Sequence, residues 1–192
     1  MKKVLLYCIS TGFLIFQLLF TCPAVAEVKP PEVGSILPEI ILNVPKEPEH
    51  QKYLGLTGEG TFKIPEIKGK VVIFEIYSMY CPFCQKEAPI VNQLFQKIES
   101  TEDLKGKVKL IGIGVGNSVF EIDFFRKTYD VKFPLFSDVD FAVHKIMGEV
   151  RTPYFVGIKI NADGTHKVIY SKLGTIKNAD EFLSLIVKLS GL

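Results

Sequence analysis

The sequence predicts an α/β fold in which a central mixed β-sheet is flanked by helices on both faces. Residues 71–77 (VVIFEIY) form a continuous apolar run rich in β-branched side chains, and residues 107–116 (KVKLIGIGVG) form a second apolar run. Such runs are typical of strands buried on both faces. Amphipathic helical stretches alternate with them, which indicates parallel pairing. The turn Asn161-Ala162-Asp163-Gly164 separates two further strand-like runs and predicts an antiparallel hairpin, so the sheet is mixed.

The first 26 residues are typical of a secretory signal peptide. Lys2 and Lys3 precede the almost wholly apolar residues 4–20, and Ala24-Val25-Ala26 is a small-x-small cleavage site. The alternative is an uncleaved membrane anchor, for which this apolar stretch is at the short end. The sequence therefore predicts a periplasmic or otherwise extracytoplasmic protein, which is attached to the membrane only if the leader is retained.

Cleavage changes the composition of the chain. It removes two of the 23 basic residues and none of the 21 acidic ones, so residues 27–192 carry 21 of each, and it leaves two of the four cysteines. A chain without a basic surplus does not indicate a nucleic-acid partner. The length suits one domain, residues 33–192, with residues 27–60 as an N-terminal extension that is part of it. A domain of this size does not need disulfides for stability, so a close cysteine pair favours a redox role.

The extension is predicted to contain a β-hairpin. Residues 27–35 are rich in proline and predict an extended lead-in. Residues 37–42 (LPEIIL) predict a short strand, and residues 61–64 (TFKI) pair back with it. The stretch 43–60 between them is polar and rich in proline and glycine, which predicts a loop.

Three of the predicted helices have apolar residues at helical spacing on one face. Pro82 lies in the first turn of the helix that follows the cysteines, where its missing N–H is tolerated, and Pro89 predicts a kink. Ser118 and Glu121 form a capping box at the start of the next helix, and Asn178 begins the last one. The predicted apolar faces are Val91, Leu94, Phe95 and Ile98; Val119, Ile122 and Phe125; and Phe182, Leu185, Ile186 and Leu189.

The remaining elements complete the alternation of strands and helices. Residues 133–136 (FPLF) predict a third central strand, and residues 139–147 predict a short helix. Residues 153–160 and 165–173 predict the two strands of the closing hairpin. The predicted order is β-hairpin, β, α, β, α, β, α, β, β, α.

Cys81 and Cys84 lie between the end of a buried strand and the start of a helix. The N-terminus of a helix presents free backbone N–H groups and the positive end of the helix dipole, which stabilise a thiolate. The thiolate at Cys81 is therefore predicted to attack a substrate disulfide. Cys84, one turn into the helix, is predicted to keep its proton and to resolve the mixed disulfide.

The segment VVIFEIYSMYCPFCQKEAP resembles the active-site strand, loop and helix of the thioredoxin superfamily. The pattern C-x-x-C-x-x-E-x-P is similar to that of its secreted TlpA/ResA-like branch. By position, the resemblance implies a cis-proline loop at Thr152-Pro153 and assigns proton-transfer roles to Glu87 and to Glu75. The chain departs from the branch at Tyr80, where tryptophan is usual, and at Pro82-Phe83 between the cysteines.

The resemblance implies a thioredoxin fold and a function. The protein is expected to reduce disulfides of protein substrates, as branch members do in cytochrome c maturation, with no cofactor beyond the Cys81–Cys84 pair. A membrane electron donor of the DsbD/CcdA type is expected to recharge it. Tyr80, Phe83 and Tyr154 are predicted to form an apolar groove for the substrate, together with Thr152.

Other interpretations remain open on the sequence alone. The cysteines also satisfy M-x-C-x-x-C from Met79 onward, a copper-chaperone pattern, or they form an inert structural disulfide. A peroxiredoxin-like peroxidase needs P-x-x-x-T-x-x-C, but position 74 is phenylalanine and position 78 is serine. Glu75 has a structural alternative as the partner of a lysine across the sheet, and Glu87 as a solvated helix residue. No metal site is predicted, since His50, His144 and His166 are scattered.

Overall fold

The computed structural model describes residues 28–192, so the predicted signal peptide, with Cys8 and Cys22, lies outside the described residues. A short 3₁₀ turn at Ile64–Glu66 follows the N-terminal hairpin. The regular elements are, in chain order, β1 (Ile41–Asn43), α1 (Pro48–Leu54), β2 (Thr61–Lys63), β3 (Val71–Tyr77), α2 (Pro82–Ser100), β4 (Val108–Val115), α3 (Val119–Thr128), β5 (Leu135–Asp138), α4 (Ala142–Ile146), β6 (Tyr154–Ile160), β7 (His166–Leu173) and α5 (Ala179–Ser190).

The central sheet is mixed, as predicted. Its strand order is β5-β4-β3-β6-β7, and β1 and β2 form the separate N-terminal hairpin. Strand β3 lies in the middle, where it runs parallel to β4 and antiparallel to β6. Strand β5 runs parallel to β4, and β7 closes the opposite side antiparallel to β6. The strand that leads into the cysteine pair is therefore the central strand of the sheet, paired with a neighbour on each edge.

Apolar residues cover both faces of the sheet, which confirms the predicted layers. Alternate side chains of a strand point to opposite faces. Val71, Ile73 and Tyr77 of β3 accordingly pack with helices α2, α3 and α5 in one core cluster. Val72, Phe74 and Ile76 pack with the hairpin, α1 and α4 in a second cluster. Cys84 belongs to the first cluster, so the cysteine pair lies at the edge of the core that α2 covers.

The predicted loop at residues 43–60 is wrong in one respect, because it contains helix α1. Pro48 occupies the first turn of this helix, where proline is tolerated. Gly55 ends it with φ 68, and its N–H group donates to carbonyls of the last turn. The proline and glycine that indicated a loop are thus the start and stop signals of a short helix, which buries Leu54 and His50.

The predicted apolar faces of α3 and α5 also need correction. Val119 is exposed at the first turn of α3, where only Ile122 and Phe125 are buried. On α5, Leu185 and Leu189 are exposed, whereas Leu183 is buried beside Phe182 and Ile186. The apolar arc of each helix is wider than the stripe that contacts the core, so spacing alone could not select the contacting members.

The proline-rich lead-in lies along the outer edge of β7. The N–H group of Gly34 donates to the carbonyl oxygen of Val168 at 2.8 Å. The N–H group of Val168 donates to the carbonyl oxygen of Ser35 at 2.9 Å. The segment therefore satisfies the outward-facing backbone groups of Val168. Within residues 28–192, no helix has the length and apolar character needed to cross a membrane.

Candidate active site

The cysteine pair sits where the central strand turns into helix α2. Cys81 is the N-cap residue of α2 with extended backbone angles, and Pro82 follows at the first helical position. Cys84 lies one turn further along and is only 1 % exposed, whereas Cys81 is half-buried. Both sulfurs are free thiols in this structure. The two cysteines therefore differ in accessibility, with Cys81 as the thiol that a substrate can reach.

Hydrogen bonds to Cys81 favour its thiolate. Burial alone would raise the pKa of the Cys81 thiol. This effect is more than offset by hydrogen bonds from the Thr152 side chain, from the Cys84 thiol and from the backbone N–H groups of Cys84 and Phe83, so the pKa lies below its ordinary value. The backbone donors belong to the first turn of α2, as expected at the N-terminus of a helix.

Cys84 has the opposite environment. Burial raises the pKa of the Cys84 thiol far above its ordinary value, and the negative charge of Glu75 raises it further. The backbone N–H of Ser78 lowers this pKa without reversing the shift. The structure therefore sets an accessible sulfur whose pKa is lowered beside a buried sulfur whose pKa is raised.

Glu75 lies beneath the cysteines in the middle of β3. It is 6 % exposed, and the strand alternation places its side chain between Ile73 and Tyr77, on the face that α2 covers. Burial raises its pKa well above the ordinary value, and the charges of Glu87 and Cys81 raise it further. The residues opposite Glu75 are Gly112 and Phe155, so a lysine across the sheet does not pair with it.

Glu87 approaches the same region from helix α2. It is 2 % exposed, which excludes the solvated-helix interpretation. Its Oε1 accepts a hydrogen bond from the N–H of Ile176, while its Oε2 is buried without a hydrogen-bond partner among the described residues. Burial raises the pKa of Glu87 to about 7, although the Ile176 bond lowers it in part. Glu87 is thus a buried carboxyl group that titrates near neutral pH.

The Thr152–Pro153 peptide is cis, as the resemblance implies. Its loop faces the nucleophile, because the Cys81 thiol donates a hydrogen bond to the carbonyl oxygen of Thr152 at 3.4 Å. The cysteines, both carboxyl groups and this loop therefore meet at one end of the central sheet.

Two surface grooves lie on either side of the exposed Tyr80 ring. The first, here called the cis-proline groove, has a volume of about 490 Å³ and the second, here called the α3 pocket, has about 440 Å³. Tyr80 is the one residue that lines both. The cis-proline groove is lined by Ser78, Tyr80, Val115, Gly116, Phe141, His144, Glu149, Val150, Arg151 and Thr152. The α3 pocket is lined by Met79, Tyr80, Ser118, Phe120, Glu121 and Phe124.

The structure brings three of the four predicted substrate residues to the surface near Cys81. Tyr80 and Thr152 line the cis-proline groove, and Phe83 is exposed in the first turn of α2. Tyr154 was predicted to line the substrate groove, but it is only 7 % exposed and packs in the second core cluster. Its hydroxyl group is hydrogen-bonded to the Ser171 hydroxyl at 2.8 Å. Tyr154 is the first residue of β6, and the alternation of side chains along this strand directs its ring toward the second core cluster.

Three side chains that hold the loop before Cys81 could not be assigned this role from the sequence. Asn117 is fully buried, and its Oδ1 accepts the N–H of Met79 at 2.8 Å. The Nε2 of Gln85 donates to the carbonyl oxygen of Met79 at 2.7 Å. Glu121 was predicted as the capping-box acid, yet its Oε1 also accepts a hydrogen bond from the Tyr80 hydroxyl. Asn117 and Glu121 lie 38 and 41 residues from the groups that they bind, so no local pattern predicts these contacts, whereas Gln85 is only six residues from Met79.

We expect Asn117→Ala to disturb both stability and the reactivity of Cys81. The substitution leaves the Met79 N–H without its acceptor, which costs about 1–3 kcal/mol of unfolding free energy. It also loosens the loop before Cys81, so alkylation of Cys81 at pH 7 should slow. Denaturant unfolding and iodoacetamide kinetics measure the two effects.

Asn92→Ala is the matched control, because the Nδ2 of Asn92 donates to the carbonyl oxygen of Tyr129 at 2.7 Å, away from the cysteine loop. We expect this variant to lose stability with no change in Cys81 alkylation. Equal alkylation rates in both variants would contradict a positioning role for Asn117.

Among the described residues, no group of three or more histidine, cysteine, aspartate or glutamate side chains is arranged to hold a metal ion. His50 is buried beside Glu47, with 3.6 Å between its Nδ1 and the Glu47 Oε2. His144 contacts the carbonyl oxygen of Val150 through Nε2 at 2.9 Å.

Comparison with known proteins places this geometry among thiol–disulfide oxidoreductases. The family model described as the AhpC/TSA family matches residues 33–177. The thiol-disulfide oxidoreductase ResA of Bacillus thuringiensis subsp. konkukian is 27 % identical over 95 % of this chain and 92 % of its own length. The ResA of Bacillus cereus is 30 % identical over 65 % of this chain and 68 % of its own length. A thioredoxin-family thiol:disulfide interchange protein from Chlorobium tepidum has a TM-score of 0.56 at 18 % identity, covering 83 % of this chain and 99 % of that one, and shares the fold.

Proposed function

Because the chain belongs to the AhpC/TSA family and is a thiol–disulfide oxidoreductase of the ResA type with a thioredoxin fold, we propose that it reduces protein disulfides outside the cytoplasm through Cys81 and Cys84. The observation that carries this proposal is the asymmetry of the pair. Cys81 is accessible and its pKa is lowered, whereas Cys84 is buried and its pKa is raised. An inert structural disulfide has no need of such a difference.

The exchange proceeds in two balanced steps. The Cys81 thiolate attacks one sulfur of the substrate disulfide, which forms a mixed disulfide and releases the other substrate sulfur as a thiolate that takes up a proton from water. Cys84 then loses its proton and attacks the Cys81 sulfur, which releases the second substrate thiolate and closes the Cys81–Cys84 disulfide. Two electrons pass from the protein to the substrate, and two protons follow them.

The second step needs a base because Cys84 holds its proton tightly. Glu75 and Glu87 are the two buried carboxyl groups that face this part of the core, and the charge of Glu75 acts on Cys84 directly. Glu87 titrates near neutral pH, which suits a group that accepts a proton and later returns it. We assign the transfer of the Cys84 proton to this pair, with Glu87 as the member that exchanges protons at neutral pH.

The setting of the reaction is part of the proposal. The N-terminal leader supports export to the periplasm or its equivalent, with membrane attachment if the leader is retained. The resemblance to the branch that serves cytochrome c maturation supports protein disulfides as substrates. A membrane dithiol donor of the DsbD/CcdA type would return two electrons to the Cys81–Cys84 disulfide after each turnover.

Insulin reduction tests the proposal directly. With dithiothreitol as the electron source, the protein should accelerate the precipitation of the insulin B chain, and Cys81→Ser should reduce this to the background rate. Equal rates for the wild type and Cys81→Ser would refute the assignment.

The reduction potential of the Cys81–Cys84 pair in a thiol redox buffer tests the direction of electron transfer. A value of about −270 mV is expected for a reductant, and one of about −120 mV would indicate an oxidant.

The copper and peroxidase alternatives make different predictions. Copper carriage predicts stoichiometric Cu(I) binding with little thiol exchange. A peroxidase predicts turnover of hydrogen peroxide. Phe74, where that pattern has proline, is fully buried in the second cluster. Cu(I) titration and peroxide consumption separate both alternatives from disulfide reduction.

A further inference from the structure

Helix α3 presents two phenylalanine rings to solvent beside the cysteine loop. Phe120 is 79 % exposed and Phe124 is 54 % exposed, and they stand one turn apart on the same face. Exposed aromatic rings give up the free energy that burial would provide. Here they line the α3 pocket together with Met79 and Tyr80. Rings left unburied at the rim of a pocket favour a binding role.

We propose that the α3 pocket binds one large apolar side chain of the polypeptide substrate, close in sequence to the cysteine that Cys81 attacks. This inference rests on the proposed function and names a preference of that site. The occupant is an extended segment of a disulfide-bonded protein, whose apolar residue fills the pocket while its cysteine reaches Cys81.

The position of Tyr80 connects the pocket to the reaction. Tyr80 directly precedes Cys81 in the chain, and its ring lines both the α3 pocket and the cis-proline groove. Its hydroxyl donates to Glu121, which fixes the ring between the two grooves. A polypeptide whose cysteine is attacked at Cys81 therefore crosses Tyr80, with a flanking residue over each groove.

The polar groups of the α3 pocket are already engaged. The Oε2 of Glu121 accepts the N–H and the hydroxyl group of Ser118, each at 2.7 Å, and its Oε1 accepts the Tyr80 hydroxyl. The rings of Phe120 and Phe124 and the side chain of Met79 are therefore the groups of the pocket that are available to a ligand, and they favour an apolar one. The cis-proline groove differs, because His144, Glu149 and Arg151 line it.

Size and charge favour a peptide side chain over two other occupants. A pocket of about 440 Å³ has room for a large side chain, and its six lining residues are far fewer than the roughly 20–30 residues that each partner contributes to a stable interface. Glu121 is the one charged residue among those that line the pocket, and its carboxylate disfavours an anionic lipid headgroup there.

The test compares two disulfide-linked peptides that differ only near the cysteine, where one has phenylalanine and the other serine. With dithiothreitol as the electron source, the wild type should reduce the phenylalanine peptide with about tenfold higher kcat/KM, mainly through KM. In Phe120→Ser/Phe124→Ser this ratio should fall to near one. Leu185→Ser/Leu189→Ser removes two exposed apolar residues of α5 and should keep the wild-type ratio.

Several results would overturn the inference. These are a ratio near one in the wild type, a ratio that survives in Phe120→Ser/Phe124→Ser, or a ratio that falls equally in the α5 variant. A wild-type dimer in sedimentation that only the α3 substitutions dissociate would assign the rings to a second copy. Wild-type flotation with phosphatidylglycerol vesicles that these substitutions abolish would assign them to lipid. Bis(2-hydroxyethyl) disulfide, a substrate without a peptide, separates the failure of the proposed function from the failure of the pocket proposal. If Cys81→Ser reduces it as fast as the wild type, the proposed function fails as well. If its reduction depends on Cys81 but the wild type shows no peptide preference, only the pocket proposal is rejected.

Discussion

Cys84→Ser is expected to stop the protein at a covalent complex with its substrate. Cys81 remains accessible and the pKa of its thiol stays below the ordinary value, so the first exchange proceeds and joins Cys81 to the substrate sulfur. A serine hydroxyl does not attack a disulfide, and the complex therefore persists. Turnover with insulin should fall about a thousandfold or more, the scale seen when a covalent catalytic group is lost. Intact-mass spectrometry should show one substrate chain per protein, which dithiothreitol releases.

Cys81→Ser is the matched control for this experiment. The remaining thiol of Cys84 is buried and its pKa is raised, so we expect no complex within the same reaction time. A stable complex through Cys84 in that variant, or full turnover in Cys84→Ser, would reverse the assignment of attacking and resolving thiols.

Glu87→Gln is expected to slow the second exchange and to change its pH dependence. An amide keeps the acceptor for the Ile176 N–H but cannot take up a proton. In the wild type, kcat should rise with pH and level off above about pH 7, as Glu87 becomes the ionised base. In the variant, kcat should fall about a hundredfold and lose this rise, because general bases contribute on that scale. Glu99→Gln, at the far end of α2, should keep the wild-type profile.

The same variant should alter how stability depends on pH. The pKa of Glu87 is about 7 in the folded protein against an ordinary value of 4.5. Between these values the folded state retains a proton that the unfolded state has released, so stability falls as the pH rises. The loss is about 3 kcal/mol once the pH exceeds 7, on the basis of about 1.4 kcal/mol for each pKa unit. Denaturant unfolding from pH 4 to pH 8 should show this decline in the wild type and a smaller one in Glu87→Gln, and parallel curves would contradict the buried carboxylate.

The fold could be predicted from the sequence because its signals are local. The buried strand at residues 71–77, the capping box at Ser118 and the turn at residues 161–164 each follow from a short pattern, and each appears in the structure. Helix α1 escaped because it is only seven residues long, and its boundary residues Pro48 and Gly55 are also typical of loops. Short helices depend on tertiary packing, here the burial of Leu54, which no local pattern contains.

The chemistry of the site was predictable to the extent that chain position encodes it. Cys81 and Cys84 differ because one caps a helix and the other lies inside it, which the position of the pair between a buried strand and a helix indicates. Asn117 and Glu121 follow β4, yet they bind the loop that follows β3, at Met79 and Tyr80. Neither residue type by itself indicates such a contact. The exposure of Phe120 and Phe124 was equally hidden, since aromatic residues on an amphipathic helix usually indicate core.

The hydrogen bonds that Gly34 and Ser35 make to Val168 affect how the molecules behave at high concentration. A free strand edge is a template on which another chain can add a strand, and this is a common route to aggregation. In this protein Gly34 and Ser35 already bind the free backbone groups of Val168 at the edge of β7. The exposed, charged side chains of Lys167 and Lys172 on the same strand disfavour the addition of another strand. Trimming the protein to begin at Ile36 would expose these backbone groups of β7, and the shortened protein would be prone to oligomerise by edge-to-edge pairing of strands.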